Sequence, residues 1–420
     1  MEVDRQALDA WYVRNRARSR ALFDMLDPAV YYERPITLRN PIVFYEGHLP
    51  AFSIIAFVNR GLGRPGVDER LERLFARGID PESADMAVPR SGADTQWPSR
   101  DEVLAFASAA DALVRGAIAE APFDESRPAM CGGEALYTAL EHEAMHQETL
   151  LYMWHRLPHA RKARPAYLPY EVKAPVPPRT HVAVPAGRAT LGQPRTRARF
   201  GWDNEFEAHV VEVDAFDVDA HSVTNADYLP FVEGGHVEPP AFWTKHDGEW
   251  RWRGMFEDVP LPPSWPVYVS HDDAVAFARW KGRRLMTEAE YHRAAFGTPS
   301  GEERPFPWGS APPDRTRGHF DFATWHPVPA GARPAGASAW GVHDLVGNGW
   351  EWTSSVFGPF PGFSPMASYP EYSAEFFDGQ HYVLKGASPA TAKELIRRSF
   401  RNWFRPNYPY VYAKFRTAAS

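Results

Sequence analysis

The sequence predicts two folded parts: a helical bundle, then an α+β domain with a large irregular fraction. Three observations carry this. Four stretches before residue 157 read as helix. A proline-rich run follows them. Beyond it, short strand-like segments alternate with long loops rich in Gly, Pro and Trp. A chain of 420 residues suits two or three domains, and 44% hydrophobic content is enough for sizeable cores.

Taken in order, Arg5 to Leu26 has helix formers and no internal Gly or Pro. Pro41 to Val58 is apolar and carries His48, with Pro50 expected to kink or interrupt the helix. Ser99-x-x-Glu102 matches a capping box ahead of the apolar-periodic run Val103 to Ile118. Glu134 to Arg156 is the fourth helix, and together these make a bundle over residues 1–160. Leu157 to Pro185 carries Pro158, Pro165, Pro169, Pro175, Pro177 and Pro178, which favours extended chain, and the linker is placed at 161–180. Within 181–420, Val182 to Pro185 and His209 to Val213 read as strands. His271 to Lys281 reads as a helix, and another starts near Thr287. The 40 prolines and 15 tryptophans point to irregular structure held by aromatic anchors.

Charge and cysteine usage exclude some functions. A formal charge of −7 and a pI near 6.2 argue against a nucleic-acid partner bound through bulk charge. The single cysteine, Cys131, rules out an internal disulfide framework and a Cys-rich zinc site, and fits a reducing compartment. Met1 to Asp9 is charged and lacks an apolar signal core, and no apolar run is read as long enough to span a membrane. The expectation is a cytoplasmic protein with small-molecule partners, no nucleic acid and no membrane.

The chemistry concentrates in Glu141-His142-Glu143-Ala144-Met145-His146-Gln147-Glu148. At 3.6 residues per turn, histidines four apart lie on one helix face and can take adjacent positions around a metal. Neutral imidazole suits iron, zinc and copper. The third ligand is either His48, on a separate helix, or Glu148. Bundles build metal sites from facing helices, which favours His48. Glu148 lies two residues past His146 and points away from the shared face, so it is expected to support the site rather than bind. Three neutral histidines would leave positions open for oxygen, water or substrate.

In the second part, Gly201-Trp202-Asp203-Asn204-Glu205-Phe206, Val223-Thr224-Asn225, Arg283-Arg284-Leu285-Met286-Thr287-Glu288 and Leu345-Val346-Gly347-Asn348-Gly349-Trp350-Glu351-Trp352 follow in order. They resemble the formylglycine-generating-enzyme-like domain, a C-type-lectin-like fold, over roughly Thr180 to Thr417. The formylglycine-generating enzymes bind copper through cysteines, and this part of the chain has none. With three histidines in the helical part, the whole chain resembles the ergothioneine-type sulfoxide synthases. His142-x-x-x-His146-x-Glu148 fits that family's motif, His48 its first ligand, and Asn402-Trp403 its C-terminal substrate motif; Gly318-His319-Phe320-Asp321-Phe322 is also similar.

The resemblance implies a DinB-like four-helix bundle for the first part. It implies Fe(II), O2 as co-substrate, and a bond formed between a sulfur or selenium donor and imidazole C2 of hercynine, Nα-trimethylhistidine. A quaternary ammonium needs an aromatic or carbonyl-lined pocket; Trp403, Phe404, Tyr369, Tyr372 and Tyr408 are the aromatic candidates. A tyrosine is the family's proton donor, and Tyr369 is the closer match of the pair in Ser368-Tyr369-Pro370-Glu371-Tyr372. Arg405, Arg398 and Arg401 are candidates for the hercynine carboxylate, with solvation at the surface the commoner fate of such side chains.

Two positions depart from the mycobacterial-type pattern. Phe404 stands where an acidic residue helps hold a γ-glutamyl-cysteine donor, and Met145 stands where Gln is common. The stretch Phe44-Tyr45-Glu46-Gly47-His48-Leu49-Pro50-Ala51-Phe52 is also atypical, and it is more similar to the selenoneine synthase branch, which takes a 1-seleno-glucose donor. That donor is the expectation. Cysteine or γ-glutamyl-cysteine is the alternative, and a DinB-like zinc-dependent thiol transferase or a non-catalytic binding protein are further ones.

Overall fold

The computed structural model describes residues 4–76, 96–123, 126–165, 170–196 and 198–420. Residues 166–169 of the expected linker, Pro169 among them, lie outside these. The chain divides into two compact units, Met1–Pro165 with Pro365–Tyr372, and Ala166–Ser364 with Ser373–Ser420. The short segment Pro365–Tyr372 therefore belongs with the helices, whereas the sequence reading assigned it to the second domain. Nothing in its local pattern marks that membership; its side chains are claimed by the helices, as described below.

In the first unit, α1 (Arg5–Asp24) starts where the Asp4 carboxylate accepts from Ala7 N–H at 3.0 Å. Helix α2 (Ile42–Ser53) contains Pro50 and is buried at every position. The interruption that the sequence allowed at Pro50 does not occur. The helix runs on as a π-helix, Ile54–Gly61. Ile42–Gly61 is thus 20 residues, long and apolar enough by composition to cross a membrane, which corrects the sequence reading. Its most apolar window is 89% buried inside the protein, so it serves here as a core helix.

Helix α3 (Glu69–Leu74) is short. Helix α4 (Arg100–Glu120) has half of its expected capping box: Ser99 accepts from Glu102 N–H at 3.2 Å, while the Glu102 carboxylate pairs with Arg70 instead. Helix α5 (Glu134–Arg156) ends at Leu157, which Pro158 holds in extended geometry. Helix α1 packs on α4 and α5, and α2 packs on the same two.

The second unit holds β1 (His181–Val184), β2 (Gly187–Leu191), β3 (His209–Val213) and β4 (Phe216–Asp219), then α6 (Asn225–Glu233). There follow β5 (Trp243–His246), β6 (Glu249–Arg253), β7 (Asp258–Pro260), α7 (His271–Trp280) and α8 (Glu288–Phe296). Last come β8 (Gly349–Val356), β9 (Tyr382–Ala387), β10 (Asn402–Phe404), β11 (Ala413–Lys414) and β12 (Ala418–Ala419). The largest sheet has the order β10-β9-β8-β11, with β11 parallel to β8. Smaller sheets are β1-β4-β12, β2-β3 and β5-β6-β7. Helices α6, α7 and α8 each open on a reciprocal cap, Thr224 with Asp227, Ser270 with Asp273, and Thr287 with Glu290. Val184, Leu191, Phe216, Met286, Tyr291 and Leu345 share the core beneath these elements.

His319 gives this unit a pH dependence. Its ring is 3% exposed, Nε2 lies 2.9 Å from the His326 carbonyl, and burial pushes its pKa down to about 4. An unfolded chain takes up that proton near pH 6.5, the folded one only near 4. Between the two the unfolded state holds more protons, so stability falls as pH drops from 6.5 towards 4, by at most about 1.4 kcal/mol per pH unit for this group. His319→Gln keeps a donor for His326 and removes the titration. Urea midpoints at pH 7 and 5 should then lie closer together than in the parent; an unchanged gap would remove His319 from the effect.

Candidate metal centre

Helix α5 presents two faces to two neighbours. Towards α1, Glu143 pairs with Arg16 at 2.9 Å and accepts from the Ser19 hydroxyl at 2.6 Å. One turn on, Gln147 donates to the Asn15 carbonyl at 2.9 Å and to Ser19 at 3.0 Å. This polar seam sets the rotation of α5, and His142 and His146 consequently meet His48 from α2. One nitrogen from each of the three lies within 4.8 Å of the others. His48 and His142 are 1% and 5% exposed. Glu148 is buried but is not one of the converging groups.

The Nε2 atoms of His142 and His146 are 3.1 Å apart. Two nitrogens each about 2.1 Å from one ion, at right to tetrahedral angles, lie about 3.0–3.4 Å apart. The separation matches that of two ligands sharing an ion, and it is also that of a hydrogen bond between the two rings. His48 Nδ1–H donates to the Phe75 carbonyl at 2.7 Å, which leaves the Nε2 lone pair buried with no protein partner. A ring nitrogen held by a backbone carbonyl, with the other aimed at the cluster, is how metal-binding histidines are oriented.

That carbonyl reaches His48 because residue 47 is glycine. A Cβ there would come within 2.3 Å of the Phe75 ring. Phe75 itself is fully buried. An isolated glycine within a helical pattern was the available signal, since it costs the helix stability unless packing requires it; Phe75 could not be read from the sequence.

Electrostatics favour the neutral form of all three rings. Burial pushes His48 down to about 4. Burial, then the neighbouring His146 and His48, hold His142 well below the usual imidazole range. Burial, then His48 and the Arg39 cation, do the same for His146. At neutral pH each ring thus keeps a lone pair, as metal binding requires. Aromatic rings line the cluster. Phe52 stacks on His142 at 3.4 Å and 10°, Phe44 on His48 at 5.1 Å and 19°, and Tyr45 lies 5.9 Å from His146.

The segment 365–372 supplies the remaining neighbours. Tyr369 lies 5.1 Å from Phe52 and 6.3 Å from His142, centroid to centroid. The Tyr372 amide donates to the Tyr369 carbonyl at 3.1 Å, closing a turn with Pro370 at its second position. That turn brings the two tyrosine rings to 5.7 Å, and the Tyr372 hydroxyl to 3.5 Å from the Met145 sulfur. His48, His142, His146, Met145, Tyr369 and Tyr372 are therefore gathered in one unit.

The other expected residues lie in the second unit. Asn402, Trp403 and Phe404 form β10, paired with Leu384, Val383 and Tyr382 of β9. Trp403 stacks on Phe357 at 4.2 Å and 7°, with Phe376 at 5.6 Å. Phe404 stacks on Tyr408 at 5.3 Å, and Arg405 donates to Gln380 at 2.8 Å. Arg398 and Arg401, expected to be solvated unless they bind substrate, have structural partners. Arg401 is 3% exposed and pairs with Glu288 at 3.0 Å, and Arg398 pairs with Glu303 at 3.0 Å. The buried Glu288 carboxylate needs its cation close by.

Residues 169–420 match the sulfatase-modifying factor enzyme 1-like domain, and residues 12–150 match the DinB superfamily. The chain is 35% identical over 306 residues to hercynine oxygenase of Mycolicibacterium smegmatis, covering 66% of this chain and 70% of that one. It is 32% identical to hercynine oxygenase of Mycolicibacterium thermoresistibile, covering 99% and 94%. Ergothioneine biosynthesis protein 1 of Neurospora crassa is 28% identical over 92% of this chain, which spans 55% of that longer protein.

Proposed function

The chain belongs to the hercynine oxygenase family, and on that premise we propose that it is an Fe(II)- and O2-dependent enzyme joining a chalcogen donor to imidazole C2 of hercynine. The convergence of three neutral histidines, two buried and His146 half-buried, carries this reading. His48, His142 and His146 would hold the ion. Bound Fe(II) supplies one-electron and O2 chemistry that no side chain offers. The stacked Phe52 and Phe44 keep water off the ligand rings. The Tyr369 ring lies 6.3 Å from that of His142, and we assign its hydroxyl the role of proton donor. Asn402, Trp403, Phe404 and Arg405 are assigned to substrate by their motif. The aromatic pair Trp403 and Phe357 suits a quaternary ammonium, which donates no hydrogen bond.

The proposed donor is the selenosugar 1-seleno-glucose, which would place the enzyme in selenoneine biosynthesis. Phe404 offers no carboxylate for a donor amine, and the polarisable Met145 sulfur beside Tyr372 favours a soft neighbour. The sulfur reading, with cysteine or γ-glutamyl-cysteine, is supported by the names of the relatives. Anaerobic protein loaded with Fe(II) and hercynine, then opened to air with all three donors in competition, separates the two by mass spectrometry. The selenium adduct is expected to dominate. A dominant sulfur adduct would return the enzyme to ergothioneine-type synthesis. No adduct under O2, with zinc in protein purified without added metal, would favour thiol transfer.

A further inference from the structure

Ser368 is fully buried, and all of its polar groups are held by the helical unit. Its N–H and its hydroxyl both donate to one Glu134 oxygen at 2.9 Å. Its hydroxyl oxygen lies 2.9 Å from Thr138 Oγ1, and since its own proton goes to Glu134, Thr138 donates. Its carbonyl accepts from Arg60 at 3.3 Å, and the same guanidinium pairs with Glu371 at 3.2 Å through each of two nitrogens. Glu134, Thr138 and His142 succeed one another along a single face of α5, about 6 Å apart. The segment runs along that face in step: Ser368 on Glu134 and Thr138, Tyr369 near His142, Tyr372 on Met145.

We propose that Glu134 is a positioning residue: by clamping Ser368 at the start of α5 it sets the register in which Tyr369 faces His142 and Phe52. Hydrogen bonds to an ionised carboxylate are among the stronger ones. A neighbour of Tyr369 held at N–H, hydroxyl and carbonyl leaves the tyrosine little freedom to slide along the helix. This rests on the reading that Tyr369 acts as proton donor; the clamp itself is measurable without that reading.

Two readouts test it on the full-length protein. The first is amide hydrogen exchange over residues 366–372. Glu134→Ala should raise exchange at Ser368 by about tenfold or more. Glu134→Gln keeps an acceptor oxygen and should stay close to the parent. Ser368→Ala, which keeps the N–H bond and perturbs the fold less, should fall between. The second readout is the ratio of hercynine adduct to oxidised donor. Glu134→Ala should shift it towards oxidised donor as Tyr369→Phe does, with iron content unchanged, and the double variant should go no further than Tyr369→Phe alone. Unmoved exchange in Glu134→Ala overturns the clamp. Raised exchange with a parental product ratio, where Tyr369→Phe shifts that ratio, overturns the positioning role. An unchanged ratio in Tyr369→Phe itself refutes the proton-donor reading and, with it, the positioning role, whatever the exchange shows.

Discussion

Replacing His142 with alanine is expected to abolish turnover and to lower iron affinity by at least about 100-fold, given that losing a mere support of a ligand already costs 10–100-fold. Three converging nitrogens leave no spare ligand: among the described residues the only group of three or more such side chains is His48, His142 and His146. Rotation of α5 does not depend on His142, because Glu143 and Gln147 are tied to α1. The variant should therefore remain folded, with its circular dichroism intact, while iron content falls. Phe52 loses the ring it stacks on at 3.4 Å, so a modest fall in thermal midpoint is compatible with the reading. Parental iron content in folded His142→Ala would remove the ring from the metal site.

The second large effect is on stability, and it lies in the other unit. Glu351 binds both Lys414 and Arg416, the latter at 2.9 Å, and all three side chains are 0% exposed. Burial alone would raise the Glu351 pKa, but the two cations hold it below the usual carboxylate range. Arg416 spends its remaining donors on the carbonyls of Asp219 and His343 and on Ser222. Glu351→Ala leaves two buried cations without a counter-ion, which costs about 3–5 kcal/mol. That is a large part of a total stability of order 5–15 kcal/mol. A fall in thermal midpoint of roughly 10 °C is expected for a unit of this size. A fall of only a degree or two would mean that water or a rearranged partner reaches the cations.

How much of this was legible in the sequence depends on the range of the interaction. The pairing of His142 with His146 is local, set by helical period, and it reads directly. His48 joins them only because α1 fixes the phase of α5, through residues such as Arg16 and Gln147 that carry no metal signature. The helix starts at His271 and near Thr287 also read directly, and each is set by a local reciprocal cap whose partners lie three residues apart. The Trp350-Glu351-Trp352 motif was visible, yet its reason was not, because its cations lie 63 and 65 residues away. At Pro50 local stereochemistry argues for a kink or an interruption, and the interruption does not occur: the helix, buried at every position, continues through it. Arg401 likewise reads as a surface cation until Glu288 is placed beside it.

The membership of Pro365–Tyr372 in the first unit bears on how such a chain can be divided or inherited. The helical unit is discontinuous in sequence. A gene fragment that stops at Pro165 would encode every histidine of the cluster and lack both Ser368 and Tyr369. A fragment starting beyond it would carry the tyrosine without the helix it lies against. Neither half could be shuffled onto a new partner with its chemistry intact, so the two parts are bound to travel together as one hereditary module.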